Sequence, residues 1–300
     1  MKWINEFLTN SRTERFNYTL LNDSNCDLFI KRDDLIHTEI SGNKLRKLYY
    51  NLKYCQDQNL NGIVTYGGAF SNHLLATASA ANLAGIEAIG KVRGDELNSN
   101  SNDLLKRCYD LGMKLEFLKR TEFSSQKHLS GILEIEGKTY VSIPEGGANL
   151  LGVFGCKEIF SELPFDFDYY CIAQGTTTTS IGLALSIPKD SKLIVVPVLK
   201  GFDSKSEMKA LIGASLFDAF EEKLIVLDEF HFGGYAKTTN DLLNFISDFN
   251  NQNVFDIEPV YTGKAMFALV QYLISNNVKN KKVLFVHTGG LSNWKKQTII

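Results

Sequence analysis

Residues 173–185 read AQGTTTTSIGLAL: the end of an apolar run, a glycine, four threonines and a serine, then an apolar helical pattern. A strand that turns through glycine into a helix is the β-to-α step of an α/β fold. Backbone amides and hydroxyls crowd that turn without any formal charge, a donor set suited to a dianionic phosphate. The candidate cradle is Gly175, Thr176, Thr177, Thr178 and Thr179. It is not a Walker A loop, because no G-K-[ST] follows. Nor is it a dinucleotide fingerprint, because Gly175 and Gly182 are wrongly spaced for G-x-G-x-x-G.

The same alternation extends outward in both directions. Residues 27–32, 62–66, 87–92, 114–118, 139–143, 168–173, 192–198, 224–227 and 283–287 read as strands. Helical patterns cover 71–83, 102–111, 150–162, 239–250 and 263–276. This predicts α/β units around mostly parallel sheets. A closed (β/α) barrel fits the same strand count. The polar stretches 94–102 and 233–240 read as loops, and no Pro- or Gly/Ser-rich hinge marks a domain boundary.

Composition bounds the function. The chain has 300 residues, 32 basic and 34 acidic, for a net charge of −2, which suits two domains of about 150 residues each. No basic field points to nucleic acid, and no apolar run reaches the ~18 residues of a membrane span. The first residues lack an unbroken apolar signal core, so a cytoplasmic protein is expected. Five scattered cysteines without a C-x-x-C pair, and five dispersed histidines without H-E-x-x-H, argue against a disulfide framework and a metal site. The cysteines read as buried apolar residues.

Two more segments carry candidate chemistry. In 31–48, KRDDLIHTEISGNKLRKL, a Ser-Gly-Asn turn opens a helix near Asn43 that sets Lys44 and Lys47 one turn apart on one face. A lysine in a first helical turn opposes the helix dipole, which lowers its pKa and favours a neutral, nucleophilic amine. Read alone, the segment is also an ordinary solvated basic turn. In 63–78, IVTYGGAFSNHLLATA, a strand runs through a double glycine into a helix capped by Ser71, with the amides of Asn72 and His73 pointing outward. Such a terminus favours a carboxylate or phosphate, while a plain capped turn reads the same way. Towards the C-terminus, Tyr261 and Thr262 precede a helix and Thr288 precedes a double glycine; Tyr235 is an isolated loop aromatic.

Taken in order, KRDDL…SGNKLRKL, YGGAFSNH, VRGDE, IPEGGANLLG, QGTTTTS, PVYTGKA and HTGG resemble the fold type II (tryptophan-synthase-β-like) pyridoxal-phosphate enzymes. More narrowly, they resemble the aminocyclopropane-carboxylate deaminase/D-cysteine desulfhydrase family, from about residue 28 to 290. The resemblance implies two α/β domains with mostly parallel sheets and the cofactor in the cleft between them. Residues 48–145 would form the smaller domain, inserted into a larger one made of 1–47 and 146–300. It implies that Lys44 holds pyridoxal 5'-phosphate as a Schiff base and shuttles the Cα proton. Lys47 and 175–179 would hold the phosphate, and Asn72 the ring hydroxyl. Ser71 with the amides of Asn72 and His73 would grip the substrate carboxylate. Tyr235 and Tyr261 match two active-site tyrosines, and a homodimer acting on a small amino acid is expected.

Aminocyclopropane-carboxylate deaminases carry a glutamate directly after the tyrosine of the PVY segment, where it pairs with the pyridine nitrogen. Here that residue is Thr262, and the HTGG segment offers Thr288 where those deaminases have an apolar residue. Threonines at both places resemble the D-cysteine desulfhydrase branch. A hydroxyl does not keep the ring nitrogen protonated as a carboxylate does, and the weaker electron sink suffices for β-elimination. The expected activity is elimination from D-cysteine or a similar amino acid to a keto acid and ammonia. Ring-opening deamination is the alternative, and a non-catalytic ligand-binding protein on the same scaffold is an alternative of another class. A Rossmann oxidoreductase is disfavoured by the missing glycine fingerprint.

Overall fold

The computed structural model describes residues 2–290. Eleven strands lie in that span: β1 (Thr13–Arg15), β2 (Asp27–Lys31), β3 (Gly62–Gly67), β4 (Glu87–Arg93), β5 (Lys114–Leu118), β6 (Gly131–Ile135), β7 (Lys138–Ile143), β8 (Tyr169–Gln174), β9 (Lys192–Pro197), β10 (Leu224–Val226) and β11 (Lys282–Val286). They form two open sheets, ordered β1-β2-β11-β8-β9-β10 and β5-β4-β3-β7-β6, so the chain does not close a barrel. All nine strands expected from the sequence form, their ends shifted by no more than one residue. The two that the sequence pattern missed, β1 and β6, are the antiparallel members of the sheets. β6 is largely exposed and so lacks the apolar signal; its hairpin to β7 turns on Glu136-Gly137, both at positive φ.

The central strands are buried on both faces, as parallel strands sandwiched by helices must be. The five-stranded sheet is built from residues 62–143 and the six-stranded sheet from both sides of that span. The helix across the expected 47/48 boundary is continuous, Lys44–Asp57. Ile4, Ile36, Ile40 and Leu45 pack in one apolar cluster with Leu74, Val92 and Val141 of the five-stranded half. The N-terminal segment thus shares core with the smaller sheet while its strand β2 pairs in the larger one.

A buried ionic network fixes the Lys44–Asp57 helix to the larger sheet. Arg46 donates to both oxygens of Asp33 at 2.7 Å and to Glu162 at 2.7 and 2.8 Å. Lys31 of β2 reaches Glu162 at 2.7 Å, and Ser11 donates to Asp33 at 2.6 Å. Burial alone would raise the Asp33 pKa, but Arg46 and Lys31 hold the carboxyl below its usual range. The KRDDL segment is thereby a structural device: Lys31 and Asp33 set the direction of the helix that carries Lys44.

Candidate functional site at the strand C-terminal edges

Ligands in open α/β sheets bind outside the carboxyl ends of the strands, and the sequence-predicted residues gather there. β11 and β8 pair in parallel with Val286 opposite Ile172, so Thr288 and Gly175 leave the sheet at one edge. The turn before Lys44 is pressed onto that edge: Gly42 is at φ +64°, and a Cβ there would stand 1.8 Å from the Thr288 carbonyl oxygen. Only glycine satisfies both the left-handed backbone and that approach.

Lys44 opens its helix, and its Nζ donates to Asn43 Oδ1 at 2.8 Å. Asn43 in turn donates to Thr179 Oγ1 at 2.8 Å, so one amide side chain ties the lysine to the threonine loop. Lys47 Nζ donates to Thr176 Oγ1 and to the Gly146 carbonyl, both at 2.9 Å. Burial, and secondarily the nearby Lys47 ammonium, pull the Lys44 pKa from 10.5 down to about 7. Burial pulls Lys47 to about 8. Among the described residues neither lysine has a carboxylate partner.

The threonine loop leaves amides that the backbone does not use. Gly175, Thr176 and Thr177 lie between β8 and the Thr178–Ala184 helix, and among the described residues their amides donate to no backbone carbonyl. Three hydroxyls are engaged as scaffold: Thr176 with Lys47, Thr178 with the Gly147 carbonyl at 3.3 Å, and Thr179 with Asn43. The Tyr261 ring covers the turn, since a Cβ on Gly175 would stand 2.9 Å from Tyr261 Cε1.

On the smaller sheet, Ser71 caps the Asn72–Ala84 helix and accepts from the Leu74 amide. His73 is buried, packs beside Gly147 and the Lys47 stem, and leaves both ring nitrogens without a hydrogen-bond partner among the described residues. Burial first, then Lys47 and Lys44, depress its pKa to about 3, so the imidazole is neutral. Tyr235 and Tyr261, far apart in sequence, meet edge to face with centroids 5.9 Å apart. Burial, with Tyr235 and Glu258 nearby, raises the Tyr261 pKa well above 10; the phenol is a proton donor at neutral pH, not a base.

The two threonines proposed to face a pyridine nitrogen differ. The Thr262 hydroxyl accepts from the Glu258 amide at 2.9 Å and donates to Glu258 Oε1 at 3.2 Å. Thr288 is buried, and its carbonyl lies against the Gly42 turn that precedes Lys44. Sequence reasoning missed Glu258, which is 1% exposed. Its carboxylate accepts from the amides of Val260, Tyr261 and Thr262 at 2.7–2.9 Å, capping the Thr262–Ser275 helix. It also missed Asn43 as a link and Lys264, which donates to the His231 and Gly234 carbonyls. An acidic residue four positions before a helix start was a visible capping signal for Glu258.

This arrangement fits pyridoxal 5'-phosphate. A half-buried lysine and a buried one without carboxylate partners among the described residues, beside amides that donate to no backbone carbonyl, suit an anion. Lys44 has the depressed pKa that condensation with an aldehyde needs. The orphaned His73 nitrogens lie at the same seam.

Known proteins agree with that chemistry. The family model described as "Pyridoxal-phosphate dependent enzyme" matches residues 12–289. A bifunctional D-cysteine desulfhydrase/1-aminocyclopropane-1-carboxylate deaminase of Arabidopsis thaliana mitochondria is 29% identical over 292 residues, covering 88% of this chain and 72% of its own. A D-cysteine desulfhydrase of Klebsiella pneumoniae is 28% identical over 284 residues, 88% of this chain and 87% of its own. The crystal structure of an ACC deaminase homologue superposes with a TM-score of 0.79 at 26% identity, covering 97% of this chain and 96% of the other. Matched from β1 to the HTGG turn, with its lysine, threonine loop and tyrosines gathered at one edge, the chain belongs to the fold type II pyridoxal-phosphate dependent enzymes, in the aminocyclopropane-carboxylate deaminase/D-cysteine desulfhydrase family.

Proposed function

We propose that the protein catalyses β-elimination from a small amino acid of the D-cysteine type, releasing a keto acid, ammonia and the β-substituent. One feature supports elimination over ring opening: Thr262 and Thr288 are hydroxyl residues at the positions that the family resemblance assigns to the pyridine-nitrogen end. A carboxylate, Glu258, does lie behind Thr262, but three amides and the Thr262 hydroxyl occupy its oxygens. Thr288, buried where the turn before Lys44 packs, is the better candidate for that contact. When bound, the cofactor supplies the conjugated sink for the electron pair left at Cα.

The chain's own residues do the rest in this reading. Lys47 and the amides of 175–178 hold the phosphate, and Asn72 meets the ring hydroxyl. Ser71 with the helix terminus at Asn72 and His73 orients the substrate carboxylate. Lys44, with a pKa near 7, is half unprotonated at neutral pH and suited to take the Cα proton. Tyr261, held protonated by its burial, donates to the departing group or positions it with Tyr235. A nested division, 48–145 within 1–47 and 146–300, puts these groups on both walls of one cleft. A cytoplasmic homodimer belongs to the same proposal, readable by fractionation and sedimentation.

The test is product analysis of cofactor-loaded protein. Pyruvate and sulfide from D-cysteine, without 2-oxobutanoate from aminocyclopropane carboxylate, is the expected result. The reverse pattern makes the protein a ring-opening deaminase. Colourless protein that takes up no pyridoxal phosphate makes it a binder of another ligand.

A further inference from the structure

Lys264 is fully buried in the first turn of the Thr262–Ser275 helix, and its ammonium reaches a loop some 30 residues earlier in the chain. It donates to the carbonyls of His231 at 2.9 Å and Gly234 at 2.7 Å. That loop is strained: Phe232, Gly233, Gly234 and Ala236 all have positive φ, at 52°, 93°, 119° and 54°. Two of the four are not glycine, and a left-handed conformation is unfavourable for both. Short loop bonds add little reach: Gly233 donates to His231 Nδ1, Gly234 to the His231 carbonyl and Lys237 to the Gly234 carbonyl. Phe232 anchors the same loop to the same helix, meeting Phe267 at 5.2 Å between centroids.

The loop delivers Tyr235. The residue is 51% exposed, so beyond its contact with Tyr261 little packing holds it, and the backbone beneath it sets its place. Tyr261 immediately precedes the helix from which Lys264 projects. One helix start therefore fixes both phenols, Tyr261 through the Glu258 carboxylate on its amide and Tyr235 through the Lys264 ammonium on its loop.

We propose that Lys264 is a positioning residue whose ammonium clamps the His231 and Gly234 carbonyls and so sets the Tyr235 phenol against Tyr261. A buried ammonium hydrogen-bonded to two carbonyls is a charge-assisted clamp, stronger than a neutral donor at the same place. The inference rests on the proposed role of Tyr235 in substrate positioning, and deepens it.

The experiment is a double-mutant cycle on the holoenzyme with Lys264→Met and Tyr235→Phe. The expected result is that K264M loads cofactor with unchanged affinity and absorbance, because Lys44, Lys47 and the threonine loop are untouched. Its kcat/KM falls at least tenfold in the Tyr235 enzyme and less than twofold in the Y235F background. Equal losses in both backgrounds would overturn the clamp. A second readout does not depend on activity. Hydrogen exchange at the Gly233, Gly234 and Lys237 amides, and trypsin cleavage after the exposed Lys237, should accelerate at least fivefold in folded K264M while exchange in the Asn72–Ala84 helix stays as in the parent. Unchanged exchange and cleavage refute the clamp outright. If K264M does not fold, Lys264→Gln is read in the same way: faster exchange and cleavage at this loop support the clamp, and unchanged rates refute it. If Y235F alone keeps full activity, the catalytic reading of Tyr235 fails, and exchange and cleavage still decide on the clamp.

Discussion

Removing Lys44 should make the cofactor-free protein more stable, and the gain should depend on pH in a defined direction. Lys44 falls from 10.5 to about 7, chiefly through burial and then through Lys47, which corresponds to ~5 kcal/mol against its charged form. The side chain keeps partial exposure, so about half of that, ~2 kcal/mol, is carried forward. Lys44→Met also removes one hydrogen bond, to Asn43, worth about 1 kcal/mol. The net expectation at pH 7 is a stabilisation of ~1 kcal/mol, or roughly 2–3 °C in Tm for a chain of this size. The unfolded lysine binds its proton up to pH 10.5, whereas the folded one releases it from about 7. The penalty in the parent is thus complete below pH 7 and fades as pH rises from 7 towards 10.5. Urea unfolding of stripped parent and K44M at pH 6, 7, 8.5 and 10 measures it. A variant less stable than the parent at pH 6–7, or a difference that does not shrink by pH 10, refutes the claim that Lys44 is held in an unfavourable site for function.

Gly42→Ala should be the most damaging small change, because the new Cβ would meet the Thr288 oxygen at 1.8 Å on a backbone at φ +64°; a loss of about 3 kcal/mol or more is expected by denaturant titration. Arg46→Met removes both guanidinium bonds to the buried Asp33, leaving it Ser11 and the nearby Lys31, and should cost about 3 kcal/mol, seen as a Tm roughly 6–9 °C lower. The two threonines should separate: Thr262→Val removes the two hydroxyl bonds to Glu258 while the three amide bonds keep the cap, and lowers stability by ~1 kcal/mol. Thr288→Val should leave stability within about 0.5 kcal/mol but shift the cofactor's visible band and lower kcat.

What the sequence made legible follows the range of the interactions. The β8 turn and the starts of the helices at Ser71 and Lys44 are set by neighbours within a few residues, so glycine, cap and periodicity announced them. The Lys44–Lys47 pair was readable because helical spacing is local. Asn43 was visible as a turn residue, yet its partner Thr179 is 136 positions away. Lys264 binds carbonyls 30 and 33 positions earlier, and a backbone carbonyl leaves no trace in residue identity. β6 escaped for the opposite reason: an exposed edge strand has little apolar pattern to read. The single-barrel option was lost only when the register showed two sheets, because strand count alone carries no closure.

The near-neutral net charge of −2 acquires a physical meaning once the two lysines are placed. A protein that collected an anionic cofactor with a basic surface would lose affinity steeply with salt, since exposed charges are screened over ~8–10 Å. Here Lys47 is buried and hydrogen-bonded to neutral oxygens, and Lys44 to a neutral amide. The charge they carry is weakly screened and has no carboxylate partner among the described residues, so a dianion bound between them recovers electrostatic energy that the empty fold does not have. Binding then stabilises the fold in proportion to RT ln(1 + [L]/Kd), and raises the pKa of both lysines from about 7 and about 8. Affinity for inorganic phosphate should accordingly weaken as pH rises through 7–9 and change little between low and moderate salt, a pairing that a surface-charge mechanism cannot produce.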